Sequence, residues 1–260
     1  MEIFFGLLVL GVVALAAWLL LAWSVTVRSV RYPPRQALAR ALAAGAPLDP
    51  SETDRNTEHW SFHADDGTEL PVWTVKGTGD GPVTVLIHEW GHSRLDWLPF
   101  VDEWLAESSQ VVVPDLRGHG DASGFCTLGR LEAEDLVGLI KSLDEEPVRL
   151  VGCGFGANIA IRTANMVPDE IQEVVAVNPW PTDVNGILNR LCMSGMHVRP
   201  PMAVFATGLR WLGTNGLQIS SLQSGPRISL QLHDGEDPAA ILSALGRDDV
   251  TIMSAGTSSN

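Results

Sequence analysis

The sequence predicts an α/β domain built on a doubly wound, mostly parallel sheet, with one transmembrane helix ahead of it. Beyond residue 56, short apolar runs alternate with amphipathic segments of helical length, which is typical of strand–helix–strand units. The apolar runs are continuous rather than interrupted by polar residues, as expected for strands that are buried on both faces. Near the start of the chain, residues 3–23 carry no charge.

The uncharged segment 3–23 is nearly all apolar and, as a helix, is long enough to cross about 30 Å of hydrocarbon. A cleaved signal peptide is the alternative, but the run is long for one, and Glu2 precedes it where a basic residue is usual. Basic residues follow the segment and none precedes it, so the positive-inside rule places the rest of the chain in the cytoplasm. The basic residues that follow the segment are Arg28, Arg31, Arg35 and Arg40. We expect a single-pass protein of the cell membrane, whose partner through residues 3–23 is the lipid bilayer.

Composition divides the chain into three parts. Residues 1–27 form the anchor, residues 28–56 a juxtamembrane spacer and linker, and residues 57–260 the α/β domain. From residue 51 onward, acidic residues outnumber basic ones by 29 to 13, and a surface of that charge repels nucleic acid. The three cysteines have no C-x-x-C spacing, which argues against a disulfide scaffold and fits a reducing compartment.

The predicted elements follow one another along the α/β domain. Turn residues at Asp65-Asp66-Gly67 predict a hairpin between the first two strands. The predicted strands are Trp60 to His63, Leu70 to Val75, Val83 to His88, Val111 to Pro114, Val148 to Val151, Val174 to Val177, Ile228 to His233 and Val250 to Met253. The predicted helices are Leu95 to Glu107, Leu128 to Leu143, Ala157 to Met166 and Pro238 to Leu245. Residues 181–225 break the alternation with two apolar helical stretches, which we interpret as a short lid that covers the core or rests on the bilayer.

A glycine-rich turn joins one predicted strand to the next predicted helix. The pattern Gly152-x-Gly154-x-Gly156 occupies the strand–turn–helix context of the nucleophile-bearing G-x-S-x-G motif, but its centre is Gly154. Such a turn needs small residues two positions before and after its centre. Centring it on Cys153 instead would place Val151 and Phe155 at those positions, so Gly154 is the better centre. An ordinary glycine-rich turn, which could bind phosphate, is the alternative to this interpretation.

Together with this turn, three other segments have the order and spacing of the α/β-hydrolase fold superfamily. Residues 83–97, which include His88-Glu89-Trp90-Gly91-His92, resemble the strand end with H-G-x-G-x-S that supplies an oxyanion amide. The segment Asp115-Leu116-Arg117-Gly118-His119-Gly120 resembles the D-x-R-G-x-G turn of esterases. Residues 232–238 are similar to the strand end that presents the acid of the triad. The chain from about residue 60 to residue 257 therefore resembles this superfamily, in particular its esterases and lipases.

The resemblance implies a catalytic triad that is degenerate. Gly154 stands at the nucleophile position, which is vacant, and Asp237 at the acid position. Thr257 replaces the histidine that should act as base, and the sequence given ends at Asn260, so we expect no later histidine to substitute. The backbone amides of Trp90 and Phe155 match the oxyanion donors. Because nucleophile and base act as one unit, losing both would disable the serine route.

Other chemistry at the same place has two candidates. His88-Glu89-Trp90-Gly91-His92 matches the zinc pattern H-E-x-x-H, but it follows an apolar strand and contains a glycine, so we expect no metal or other cofactor. A Cys153 nucleophile could pair with His92 or His119, although Cys153 would ordinarily point away from the pocket as a structural thiol.

We expect His88, Glu89, His92, His119 and Cys153 to line the pocket. The predicted function is a membrane-anchored pseudo-hydrolase that binds a small-molecule or protein ligand. The alternatives are an active ester or amide hydrolase that uses an unusual nucleophile such as Cys153, and a zinc hydrolase that uses His88, Glu89 and His92.

Overall fold

A computed structural model describes most of the chain. The described residues are 1–35, 37–45, 47–53, 55–143, 147–181, 183–196, 199–211, 226–232 and 250–254. Helix α1 (Glu2–Arg31) is followed by the short helix α2 (Ala37–Ala44) and by a 3-10 turn (Pro50–Thr53). The break after Arg31 follows from Pro33 and Pro34, because proline has no backbone N–H to continue a helix.

The α/β domain begins with a β-hairpin. Strands β1 (Thr57–His63) and β2 (Glu69–Lys76) pair in antiparallel fashion, which confirms the predicted hairpin. At its turn Gly67 has φ +81°, a conformation that glycine adopts without strain, and its N–H donates to the carbonyl oxygen of Ala64 at 2.8 Å.

The remaining strands and helices alternate along the chain. In order they are β3 (Val83–Ile87), a 3-10 helix (Arg94–Phe100), α3 (Val101–Leu105), β4 (Gln110–Pro114), α4 (Arg130–Ser142), β5 (Val148–Cys153), α5 (Phe155–Met166), β6 (Ile171–Val177), α6 (Val184–Met193), α7 (Met202–Trp211), β7 (Arg227–Leu232) and β8 (Thr251–Ser254). The eight strands form one sheet in the order β1-β2-β4-β3-β5-β6-β7-β8. From β4 to β8 all neighbouring strands run parallel, so the predicted fold class is confirmed.

The structure divides one of the predicted helices in two. The segment predicted as one helix over Leu95 to Glu107 is a 3-10 helix followed by the short α3, because Pro99 interrupts the α-helical hydrogen bonds. The helix predicted over Pro238 to Leu245 lies outside the described residues. The stretch interpreted as a lid contains α6 and α7, as its two apolar runs predicted.

Apolar side chains pack on both faces of the sheet. On one face, Leu150, Ile159 and Leu136 belong to a large buried cluster that includes residues of α4 and α5. On the other face, Val151, Val175 and Val101 form a smaller cluster beneath the 3-10 helix and α3. The sheet is therefore the middle layer of three, and the carboxyl ends of its parallel strands lie at one edge.

Helix α1 changes environment along its length. Most side chains of residues 3–21 are exposed, and the helix is long and apolar enough to cross a membrane. Thr26, Val27 and Val30 are instead buried, and a Cβ atom on Gly208 of α7 would be in ordinary contact with Val27 at 3.6 Å. The last two turns of α1 are thus part of the packed domain.

The segment after α1 continues along the domain surface. The carbonyl oxygen of Arg31 accepts from the N–H of Cys126 at 2.9 Å, and the Arg35 guanidinium donates to the carbonyl oxygen of Ala122 at 2.9 Å. The Pro34 ring lies 3.5 Å from the Cβ position of Gly91. This segment therefore connects α1 to the loops that follow β3 and β4.

Candidate functional site

The turn between β5 and α5 has the geometry of a nucleophile elbow. Gly154 has φ +55° and ψ −117°, and its N–H donates to the carbonyl oxygen of Val177 at 2.8 Å. A Cβ atom on Gly152 would lie 2.3 Å from the carbonyl oxygen of Gly156. One on Gly156 would lie 2.3 Å from the carbonyl oxygen of Ile87. Both flanking positions require glycine, so the turn is centred on Gly154 and not on Cys153.

The side chain of Glu89 occupies the space above Gly154. A Cβ atom on Gly154 would lie 2.6 Å from both the carboxyl carbon and Oε1 of Glu89. Trp180 follows β6 and donates its indole N–H to Glu89 Oε1 at 3.0 Å, which holds the carboxylate in place. A nucleophilic side chain at position 154 would start from the volume that this carboxylate fills.

A cavity of about 260 Å³ opens beside the elbow. It is lined by His88, Glu89, His92, Asp96, Trp97, Phe100 and Cys153. Cys153 therefore lines the cavity, as predicted for a pocket residue, and does not point away from it as a structural thiol beside the elbow ordinarily would. Side chains alternate along β5, so Gly152 faces α5 while Cys153 faces the side covered by the 3-10 helix, where the cavity lies.

The cysteine in this cavity is held as a neutral thiol. Burial, and next to it the negative charge of Glu89, raises the pKa of Cys153 to about 11. Only the thiolate is an effective nucleophile, so this environment opposes attack by Cys153 near neutral pH.

His88 is a buried structural residue. Its Nδ1 lies 2.8 Å from the carbonyl oxygen of Glu89, and its Nε2 accepts from the N–H of Leu116 at 3.0 Å. Both ring nitrogens are thus engaged in the neutral tautomer protonated at Nδ1, and burial lowers its pKa to about 4. The zinc alternative is wrong on this geometry, because His88 has no free nitrogen for a metal and the H-E-x-x-H segment follows a strand instead of lying on a helix.

The other two histidines of the predicted pocket have different surroundings. His92 is half-buried at the cavity, with Nδ1 3.3 Å from Asp96 Oδ1. His119 is not among the described residues that line the cavity, because its ring is buried against Phe155 at 6.1 Å and His88 at 5.2 Å. Burial, and then the neighbouring His88, holds the pKa of His119 well below 6.5.

The residues that match the oxyanion donors lie on either side of the elbow. Trp90 is buried in the loop after β3, where the His92 N–H donates to the carbonyl oxygen of Glu89 at 3.1 Å. Phe155 is the first residue of α5, and the first backbone N–H groups of a helix have no partner within the helix. Both amides remain candidates for that role. Asp237 and Thr257 lie outside the described residues.

The D-x-R-G-x-G turn forms two buried ion pairs. Asp115 is fully buried, pairs with the Arg94 guanidinium and accepts from the Arg94 backbone N–H at 2.7 Å. Arg117 donates to both carboxylate oxygens of Asp135 at 2.6 Å. The sequence motif identified Asp115 and Arg117, but their partners Arg94 and Asp135 carried no sequence signal, since they lie on other elements.

Comparisons with known proteins agree on the kind of domain. Residues 84–253, more than half of the chain, match a sequence model described as "Alpha/beta hydrolase family". A segment of 122 residues is 34% identical to "Probable protein phosphatase methylesterase 1" of Caenorhabditis elegans and covers 44% of this chain and 33% of that protein. A segment of 97 residues is 33% identical to the pimeloyl-(acyl-carrier protein) methyl ester esterase of Methylococcus capsulatus and covers 37% of each protein. The chain thus matches only about a third of the length of these relatives.

A solved structure resembles the fold over a greater length. The structure of an esterase from Pyrococcus furiosus superposes with a TM-score of 0.66 at 19% sequence identity. The match covers 86% of this chain and 88% of that one. At this identity the likeness concerns the fold alone.

Proposed function

The chain belongs to the α/β-hydrolase family, and we propose that it is a membrane-anchored member that binds a ligand beside the elbow without hydrolysing it by the serine route. The observation that carries this proposal is the position of Glu89. Its carboxylate fills the space from which a side chain at position 154 would attack, and Trp180 fixes it there at 3.0 Å.

The electrostatics of the site support the same proposal. Ester hydrolysis develops negative charge on the carbonyl oxygen, which hydrolases stabilise with backbone N–H groups. A carboxylate beside that position opposes the developing charge. The cavity itself is retained, with an aromatic wall at Trp97 and Phe100. Binding is therefore supported where serine-type turnover is not.

Fluorophosphonate labelling tests this proposal. The purified full chain is treated with the reagent beside an active serine esterase, and both are weighed by intact mass spectrometry. We expect an adduct on the esterase and none on this protein. A stoichiometric adduct would end the proposal, and mapping it to a residue would identify the nucleophile.

An active ester hydrolase is the second candidate, because the curated relatives are ester-cleaving enzymes by name and Cys153 lines the cavity. Against it stands the pKa of this thiol, which burial and Glu89 raise to about 11. The decisive comparison is the hydrolysis of a small methyl ester by the wild type and by Cys153→Ala. Activity that disappears in Cys153→Ala, with Cys192→Ala as the matched control, would establish the thiol route.

We also propose that residues 3–23 anchor the domain, with the α/β domain on the cytoplasmic side. The support is the length and exposure of α1 up to residue 21 and the arginines that follow it. Carbonate extraction of membranes should leave the chain in the pellet. Protease added outside intact cells should spare the domain, and digestion of the domain there would reverse the orientation.

A further inference from the structure

We propose that the cavity beside Gly154 binds a small organic cation, an ammonium group carried on an apolar or aromatic body. This inference rests on the proposed function, because it names the ligand class of the same site. It arises from the charge, the aromatic wall and the size of the cavity taken together.

The charge of the site is the reverse of what an ester-cleaving enzyme needs. In such enzymes the position above the elbow meets developing negative charge and is surrounded by N–H donors. Here the carboxyl carbon of Glu89 lies 2.6 Å from the Cβ position of Gly154. Its Oε1 accepts the hydrogen bond of the Trp180 indole N–H. A group that enters the adjoining cavity therefore meets the Glu89 carboxylate, which favours a positive charge.

A second carboxylate lies in the same lining. Asp96 accepts from the Ser93 N–H at 2.9 Å and pairs with His92 at 3.3 Å. The described lining contains two carboxylates and no lysine or arginine. Arg190 acts electrostatically on Cys153, but its guanidinium points to the side-chain oxygen of Asn178 at 3.4 Å. At Cys153 the negative charge of Glu89 has a larger effect on the pKa of the thiol than the positive charge of Arg190.

The remaining wall suits the body of such a ligand. Trp97 and Phe100 pack edge to face, with ring centroids 6.2 Å apart, and both line the cavity. Aromatic faces attract ammonium groups, and tryptophan does so most strongly. The volume of about 260 Å³ is below the usual range for drug-sized ligands, so the ligand is small. The acidic excess of the domain adds a long-range field that attracts cations.

A pair of probes of equal shape isolates the charge. The ammonium probe is 4-hydroxyphenyltrimethylammonium, and its neutral isostere is 4-tert-butylphenol. Binding of each to the full chain in nanodiscs is measured by calorimetry, with empty nanodiscs as the blank. We expect the ammonium compound to bind about tenfold more tightly than the isostere. Equal affinity, or no saturable binding of the ammonium compound up to roughly 10 mM, would overturn the proposal.

Two variants assign the preference to Glu89. Glu89→Gln keeps the shape and the oxygen that accepts from Trp180 but removes the charge, so the tenfold preference should be lost. Glu58→Gln removes one charge from an exposed position of strand β1 at the edge of the sheet. This variant should keep the tenfold preference for the ammonium probe. Retention of the preference in Glu89→Gln would contradict the proposal. Fluorophosphonate labelling of the same preparation separates the two conclusions, because an adduct refutes the proposed function whichever probe binds.

Discussion

Gly154 and Glu89 are complementary in volume, since a Cβ atom on Gly154 would lie 2.6 Å from the carboxyl carbon of Glu89. Glycine at position 154 does two things at once. It accepts φ +55° without strain, and it leaves room for a side chain that descends from the loop after β3. The space above Gly154 is thus filled by a carboxylate that accepts a hydrogen bond from Trp180.

This complementarity predicts that substitutions at the two positions are not additive. Gly154→Ala should destabilise the protein through backbone strain of about 1–3 kcal/mol, and more through collision with Glu89. In a Glu89→Gly background only the strain remains, so the cost of Gly154→Ala should fall by roughly 1 kcal/mol or more. Urea unfolding of the wild type, both single variants and the double variant measures this coupling. Effects that add within experimental error would show that the two residues do not share the space.

The two flanking glycines should tolerate a side chain even less. A Cβ atom on Gly152 or Gly156 would meet a carbonyl oxygen at 2.3 Å, and backbone cannot move aside as a flexible side chain can. We expect Gly152→Ala and Gly156→Ala each to cost about 3 kcal/mol or more, or to abolish soluble expression. Gly208→Ala in α7 is the matched control, because its Cβ would be in ordinary contact at 3.6 Å. It should be neutral or slightly stabilising, and equal losses for all three variants would contradict the steric account.

The order of the strands and helices could be predicted from the sequence because burial on both faces leaves continuous apolar runs, as in Val83–Ile87 and Val148–Cys153. The elbow could be predicted because its glycines satisfy a local steric requirement. Side-chain positions that depend on distant elements could not be predicted. The placement of Glu89 depends on Trp180, which lies 91 residues away along the chain. In the same way the burial of Thr26 and Val30 depends on packing against the rest of the domain.

Cys153 should react slowly with alkylating reagents. With a pKa near 11 instead of the ordinary 9, its thiolate fraction at pH 8 is lower by about a hundredfold. Glu89→Gln removes one cause of the raised pKa, so the rate should increase. Timed iodoacetamide labelling between pH 7 and 10, read by peptide mass spectrometry, measures both effects. Wild-type Cys153 that reacts as fast as free cysteine would contradict this picture, and the same digest reports Cys192 as a check on the reagent.

The pH dependence of stability should report the burial of His88. Its neutral ring donates from Nδ1 to the carbonyl oxygen of Glu89 and accepts at Nε2 from the N–H of Leu116, so a second proton would remove the acceptor. Burial lowers its pKa from 6.5 to about 4, so unfolding takes up a proton between these values. Stability from this residue is therefore complete above about pH 6.5 and is lost as the pH falls toward 4. The difference between the two pKa values corresponds to a loss of about 3 kcal/mol in the free energy of unfolding.

Urea unfolding at several pH values from 7 to 4 tests this expectation in the wild type and in two variants. His88→Gln should be less stable at pH 7 and should lose less stability as the pH falls, since the titrating ring is gone. His63→Gln removes a histidine from the exposed end of β1 and should keep the wild-type pH dependence. His119 is also buried and its pKa is also lowered, so part of the dependence of stability on pH should remain in His88→Gln. If stability falls with pH as steeply in His88→Gln as in the wild type, then His88 is not the neutral ring, hydrogen-bonded at both nitrogens, on which the loop carrying Glu89 depends.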